Sequence, residues 1–301
     1  MRKILLAFLL TFSAAHLMAF TPGNDTSWKS KYEATLGFAQ TSFTNWAAGG
    51  DGAVSVNGML NIFKNYAKGK VSWNNYLGLA YGTNLQKSDP KVRKTNDKIN
   101  FLTKGGVYAW KNWDYAGMFE FRSQFDKGYN YPNDSVHVSK FMAPGYLQLS
   151  IGMNYKPVDY FYVFISPVGA RLTVVNDASL TNAKDDKGNL IGAFGVIGDN
   201  TSLWQVGGSL NVGFKKDIMK NINLMSKLDL FSDYRHNPGN IIVGWENNIL
   251  MKVNKYLSLN LATMLIYDDN IIFIDKEGLP KGPQVQFRET FSLGLAFAMT
   301  R

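Results

Sequence analysis

The chain has 301 residues, with 32 Lys and Arg against 23 Asp and Glu, a formal charge of +9 at pH 7 and no cysteine. Without cysteine the chain offers no disulfide framework, no thiolate metal site and no lipidation site of the bacterial lipoprotein kind. Hydrophobic residues make up 46% of it, yet no apolar run reaches 18 residues, which excludes helical membrane spans. The basic residues are not clustered on one predicted helix or in an aromatic-lined groove, so nucleic acid is not an expected partner.

The N-terminal segment has the pattern of a cleaved secretory signal. Arg2 and Lys3 precede the apolar run 4–12, which is followed by small residues. We expect cleavage after Ala15, with Ala19 as the later alternative. Removal of the signal leaves 30 basic against 23 acidic residues, a charge of +7.

Twelve segments between Lys31 and Met299 alternate apolar and polar residues, which is the period of a β-strand with two different faces. Alternation is strictest in 113–124, where aromatic and acidic or basic side chains fall on opposite faces. Every segment exceeds the roughly 9 to 11 residues that a tilted strand needs to cross a bilayer. The predicted strands are approximately 31–43, 53–66, 70–83, 97–110, 113–126, 145–156, 159–174, 202–216, 220–234, 241–254, 256–269 and 284–299. Poor alternation in 97–110 and 159–174 leaves a count of ten open.

The connections between these segments alternate between short turns and longer polar loops. This is typical of outer-membrane barrels, which place short turns in the periplasm and long loops outside. The sequence therefore predicts an all-β protein: a transmembrane antiparallel up-and-down β-barrel of about 12 strands, with 10 to 14 possible, over residues 31–301. Residues 16–30 form a periplasmic segment, and both termini lie in the periplasm. A soluble β-sandwich is disfavoured because its strands are usually about five or six residues long.

One stretch resembles a known family. The segment 40–57 contains Asn45-Trp46-Ala47-Ala48-Gly49-Gly50, and shorter similarities follow at 73–75, 81–82, 97–99, 166–167, 231–234 and 245–246. These resemble the Bacteroidetes-type family of outer-membrane proteins of unknown function, domain-of-unknown-function family 3078. The resemblance implies location in the bacterial outer membrane, and it supplies no activity or site residue. Such barrels commonly end in an aromatic residue read by the barrel-assembly machinery, whereas this chain ends with 297–301, in which Phe297 is the nearest aromatic residue.

Charged residues on the polar faces of the strands are the main functional feature. They either line a water-filled passage and set its selectivity, or interlock as salt bridges in a closed scaffold. The expected function is a passive channel or transporter for small solutes; the alternative is a non-conducting structural or adhesion barrel acting through its extracellular loops. The candidate lumen-lining residues are Glu120, Arg122, Lys227, Asp229, Glu246, Lys252 and Arg288.

Two loops are candidates for outer-surface contacts. Trp46 precedes three glycines, at 49, 50 and 52, that permit backbone conformations closed to other residues. It either folds over the barrel rim or stacks on a sugar or protein partner. A basic loop is suited to touch lipopolysaccharide, although solubility explains it equally well. It carries Lys87, Lys91, Arg93 and Lys94. The expected partners are outer-membrane lipid and lipopolysaccharide, and the barrel-assembly machinery during insertion.

Catalysis is not expected. After signal removal the histidines away from the new terminus are His137 and His236, both in predicted outer loops, and no motif fixes an acid or a nucleophile beside either. We read both as solvated loop residues. No zinc spacing or calcium loop is present, so no metal, cofactor or catalytic residue is predicted.

Overall fold

The structure is a computed structural model that describes residues 27–41, 52–89, 91–254, 257–274 and 279–300. Nearly all of its regular structure is β-strand. The elements in chain order are β1 (Trp28–Thr41), β2 (Ala53–Lys68), β3 (Val71–Gln86), β4 (Val92–Trp110), β5 (Trp113–Ser123), β6 (Gly128–Tyr129), β7 (His137–Ser139), β8 (Gly145–Val158), β9 (Phe161–Val174), α1 (Ala178–Thr181), β10 (Ser202–Met219), β11 (Ile222–Asp233), β12 (Ile241–Lys252), β13 (Leu257–Tyr267), β14 (Phe273–Ile274), β15 (Pro280–Gly282) and β16 (Gln286–Thr300).

Twelve of these strands form one closed antiparallel barrel. Each pairs with its neighbour in the order β1-β2-β3-β4-β5-β8-β9-β10-β11-β12-β13-β16, and β16 returns to β1. The short strands β6 and β7 form a hairpin in one long loop, and β14 and β15 form another. The predicted fold class and the count of twelve strands are confirmed, and both poorly alternating segments belong to the barrel as β4 and β9.

The two faces of the wall differ in polarity as the alternation predicted. Outward side chains such as Tyr115 and Ile151 keep 59% and 64% of their surface exposed. Inward side chains such as Glu120 and Gln205 keep only 2%. Hydrocarbon offers backbone groups no hydrogen-bond partners, so a sheet surrounded by it must be closed. The outer surface of such a sheet is apolar because it contacts the hydrocarbon.

The two ends of the barrel are built differently. At one end the strands are joined by turns of two to four residues, and both β1 and β16 reach this end, where Lys31 pairs with Thr300. Aromatic side chains contact one another there: the ring centroids of Trp113 and Tyr155 lie 4.8 Å apart, and those of Trp28 and Tyr66 lie 5.1 Å apart. We call this the short-turn end and the opposite one the long-loop end. Aromatic girdles of this kind mark the membrane interfaces of barrels.

The irregular strand β9 contains a bulge at Pro167. On one side Ser166 pairs with Ser209 and Gly169 with Gly207, so that two residues of β9 oppose one of β10. A similar shift occurs against β8. Proline cannot donate a ladder hydrogen bond and is tolerated in sheets at bulges. The extra residue reverses the alternation, which explains why the sequence pattern was poor here.

The N-terminal predictions fall largely outside the described residues. The signal peptide 1–15 and most of the segment 16–30 lie there. The first strand begins at Trp28, three residues before its predicted start. Among the described residues, no helix is long and apolar enough to cross a membrane.

The seam between β1 and β16 predicts the effect of a single methyl group. A Cβ built on Gly294 would lie 2.0 Å from the Leu36 carbonyl oxygen, whereas one on Gly117 meets nothing within 4 Å. Gly294→Ala therefore forces the closing strands apart, and we expect it to lower the free energy of unfolding by about 1 to 3 kcal/mol. The measurement is urea unfolding in lipid, in which the folded fraction is read from the heat-dependent shift in gel migration of a folded barrel. Gly117→Ala is the matched control, and an equal effect of both substitutions would contradict the close approach at the seam.

Candidate functional site

A cluster of paired charges occupies the middle of the lumen. The Lys227 ammonium lies 2.6 Å from Oε1 of Glu120 and 3.0 Å from a carboxylate oxygen of Asp229. Arg122 places its Nε 3.9 Å from Glu120. Asn211 donates a further hydrogen bond to Asp229. Strands β5 and β11 supply the Glu120–Lys227 pair, and three strands separate them in the wall, so this pair reaches across the interior.

A second pair joins opposite walls. Lys98 on β4 donates to the carboxylate of Glu246 on β12, and five strands separate β4 from β12 in either direction round the barrel. The side chains of both residues are about four-fifths buried. Together with the first cluster, this pair crosses the lumen near its middle. We call the six residues the ion-pair belt: Glu120, Arg122, Lys227, Asp229, Lys98 and Glu246.

Further pairs cross the lumen towards each end. Towards the long loops, Arg171 on β9 lies 2.7 Å from Asp268, just after β13, and both side chains are 4% exposed. Towards the short turns, Lys215 on β10 lies 3.0 Å from Glu33 on β1. Lys215 also lies over the Phe63 ring, 3.8 Å from its centroid. The interior is thus bridged at three heights by opposite charges.

The other predicted lumen residues do not join the belt. Lys252 lines a cavity near the short-turn end and has no ion-pair partner among the described residues. Arg288 also faces the lumen, and its Nη2 contacts the Met264 sulfur at 3.6 Å. Trp46, the predicted loop contact, lies outside the described residues.

Cavities with polar and apolar lining residues lie on both sides of the belt. One of about 310 Å3 lies on the long-loop side, and we call it the vestibule. Cavities of about 240 Å3 and 340 Å3 lie on the short-turn side, the first lined by Lys104 and Tyr162 and the second by Glu33 and Lys252. Glu246 lines both the vestibule and the 240 Å3 cavity. The belt therefore lies between the vestibule and the 240 Å3 cavity.

Five residues of these ion pairs, Asp268 among them, were not found from the sequence. Glu33 and Lys215 share the face of other polar residues on their strands, so the alternation alone was sufficient to find them. Lys98 belongs to a segment whose inward face also contains apolar Leu102. Arg171 follows the bulge in β9, so a strict alternation places it on the wrong face.

The predicted solvated histidine His137 is instead held by a partner. Its Nε2 lies 2.7 Å from Oδ2 of Asp177, and the Lys140 ammonium lies 2.7 Å from the same oxygen. Asp177 also caps α1, accepting from the Ser179 amide. Burial raises the pKa of Asp177, but the hydrogen bonds from Lys140, Ser179 and His137 outweigh this and hold it well below its usual range. These contacts hold the β5–β8 loop against the β9–β10 loop, and we call them the loop clasp.

The remaining charged loop residues considered in the sequence form ion pairs near the surface. His236 is largely exposed and lies 3.4 Å from Asp233. Lys91 pairs with Asp134, and Arg93 pairs with Asp89. Within the part of the chain that the structure describes, no group of three or more His, Asp or Glu side chains is placed to hold a metal ion.

Comparison with known proteins matches part of the chain to one family. Residues 38–129 match the family described as protein of unknown function, DUF3078, which confirms the resemblance read from the sequence over that part of the chain. No curated protein matches. The matched residues 38–129 run from the end of β1 to the short hairpin after β5.

The similar solved structures are outer-membrane barrels. The translocator domain of autotransporter NalP from Neisseria meningitidis is 10% identical, with a TM-score of 0.36 and coverage of 98% of this chain and 95% of that one. An outer membrane channel from Pseudomonas putida F1 is 8% identical, with a TM-score of 0.38 and coverage of 94% and 98%. Outer membrane phospholipase A from Escherichia coli is 12% identical, with a TM-score of 0.34 and coverage of 88% and 95%. At these values the likeness concerns barrel architecture alone.

The belt predicts that replacing two inward lysines has different effects on the free energy of unfolding. Lys227→Met leaves Glu120 and Asp229 without their shared cation, and removing one partner of a buried pair costs about 3 to 5 kcal/mol. Lys252→Met makes the same change of charge where there is no ion pair, and we expect less than about 1 kcal/mol. Urea unfolding of both variants in the same lipid measures the difference. Equal unfolding midpoints would show that the belt is not a stabilising unit.

The low pKa of Asp177 predicts an acid-labile loop clasp. Because the pKa is lower in the folded than in the unfolded state, the contact stabilises fully above about pH 4 and weakens as the pH falls below it. We expect pepsin to cleave the long loops faster at pH 2 than at pH 4, after correction for its rate on an unfolded substrate. Asp177→Asn should abolish this difference, and Asp159→Asn, in a turn at the other end, should retain it. Equal wild-type cleavage at both pH values would refute the clasp.

Proposed function

We propose that this protein is an outer-membrane channel for small polar solutes that is closed, in the described conformation, by the ion-pair belt. The observation that carries the proposal is the Lys98–Glu246 pair, which joins opposite walls with cavities on both sides. Separation of such a pair opens a path without unpairing any strand. Its charges then select the solutes that pass, because a charge inside a low-dielectric wall focuses the electric field.

The orientation follows from the two ends. The short turns, the start of β1 and the end of β16 all lie at one end of the barrel. This arrangement supports a periplasmic short-turn end and an outer long-loop end. The basic residues Lys91 and Arg93 then lie at the outer surface, within reach of lipopolysaccharide. The vestibule is the outward-facing chamber in this arrangement.

The competing function is a non-conducting barrel that acts through its loops. It is favoured by the same pairs, since charges that bridge the lumen at three heights also fill it. The two functions differ in one respect: a scaffold has no path to open when the belt is removed.

Conductance in a planar bilayer separates them. Lys98→Ala combined with Glu246→Ala removes both charges and their volume without leaving either charge unpaired. We expect the wild-type protein to open rarely and the double variant to show frequent, larger conductance steps, because one of the two pairs of the belt that cross the lumen is gone.

The control is an ion pair of the same charges away from the lumen. Lys156 and Asp159 lie 3.0 Å apart in an exposed turn, and their joint replacement by Ala should leave the wild-type behaviour unchanged. All variants are first checked for the heat-dependent gel shift of a folded barrel. A folded Lys98→Ala, Glu246→Ala variant as silent as the wild type would reject the channel.

A further inference from the structure

The vestibule gathers guanidinium groups from three sides of the barrel. Arg122 comes from β5, Arg171 from β9 and Arg288 from β16, and all three line the cavity of about 310 Å3. One of them lies against β12, since a Cβ built on Gly244 would be in ordinary contact, 3.6 Å from Nη1 of Arg122. Residues from three long loops, including Phe194 and Ile271, complete the lining. The space holds a small molecule rather than a polymer.

The acids that share this cavity are already engaged. Asp268 accepts from Arg171 and from the backbone and side chain of Asn270. Asp97 accepts from Lys94 and from two backbone amides. The two remaining acids, Asp229 and Glu246, belong to the ion-pair belt and are held by Lys227 and Lys98. Little acceptor capacity is therefore left for a cationic ligand.

The donors, in contrast, are incompletely used. Arg171 is 3% exposed, and its Nε and Nη1 have no hydrogen-bond partner among the described residues. Gln286 also lines the vestibule, and its side-chain amide nitrogen likewise has no hydrogen-bond partner among the described residues. Arg288, which is exposed rather than buried, contacts a sulfur atom rather than a carboxylate, and the described carboxylate nearest to Arg122 lies at 3.9 Å. Buried donors without acceptors are costly, so this arrangement favours a ligand that brings acceptor oxygens.

Another part of the lining is apolar. Phe231 and Ile242 are buried side chains there, and Ile266 lies beside them on β13. Tyr146 lies between two guanidinium groups, 4.8 Å from that of Arg171 and 5.8 Å from that of Arg122. A ligand that matches both parts carries an oxyanion at one end and an apolar or ring-shaped body at the other.

We infer that the vestibule is a binding site for a small organic anion, a carboxylate on an apolar body, held by Arg122, Arg171 and Arg288. As a statement about the transported solute, this rests on the proposed channel. As a binding site it stands on the lining of the vestibule alone. Guanidinium groups suit this ligand because their planar donors match both oxygens of a carboxylate.

Equilibrium binding to the folded wild-type barrel in detergent tests the site without requiring conduction. The titrated probes are benzoate, its neutral analogue benzamide, its cationic analogue benzamidinium, and acetate, which has the carboxylate but no ring. We expect calorimetry to show benzoate binding at least about tenfold more tightly than each of the other three, because only benzoate matches both the donors and the apolar wall. Equal binding of benzoate and benzamidinium would overturn the inference.

Variants locate the site. Arg288→Gln removes a cation that has no carboxylate partner among the described residues, so it leaves no acid unpaired, and we expect it to weaken benzoate binding about tenfold. Arg235→Gln makes the same change in an exposed loop at the same end and should leave binding unchanged. Equal affinities of the two variants would place benzoate elsewhere and refute the site.

The two proposals fail separately. Absence of benzoate binding, with conduction by the Lys98→Ala, Glu246→Ala variant, would remove the anion site and leave the channel. Benzoate binding that Arg288→Gln weakens, with a silent double variant, would establish the site in a barrel that does not conduct.

Discussion

The rest of the structure depends on one constraint, which is that a sheet surrounded by hydrocarbon must leave no backbone hydrogen bond unmade. Twelve strands meet it by closing on one another, and the last pairing, of β16 with β1, is therefore as necessary as any other. Closure sends alternate side chains outward into lipid and inward into a confined space. The inward polar groups must then be satisfied by water or by one another.

The ion-pair belt follows from this confinement. Charges that project from opposite walls come within contact distance, and in a low-dielectric interior an unpaired charge is far more costly than a paired one. Lys98 meets Glu246, and Lys227 meets Glu120, in each case across the barrel rather than along it. Stability alone does not require these charges, because well-packed apolar residues often replace a buried ion pair without loss. Their position between two cavities is what suggests a function for them.

The predictability of the site varied with the regularity of each strand. Strand β5 follows strict alternation, so Glu120 and Arg122 were placed correctly from the sequence. The same reasoning was available for Glu33 and Lys215, whose strands keep their period. It failed for Arg171, because the bulge at Pro167 adds one residue and reverses the faces beyond it. The Ser-Pro pair was the available signal, since proline in a membrane strand requires such an irregularity.

The sequence by itself determined the architecture: the two-residue period, the strand lengths, and the alternation of short turns with long loops are local properties that a closed membrane sheet requires. It also determined which side chains are polar and face inward along each regular strand. Only the tertiary structure decided which of these meet. Lys98 and Glu246 are 148 positions apart, and their contact depends on the number of strands in the wall and on the register of each pairing. Those are properties of the closed barrel as a whole, because every strand's offset adds to the next before opposite walls face each other.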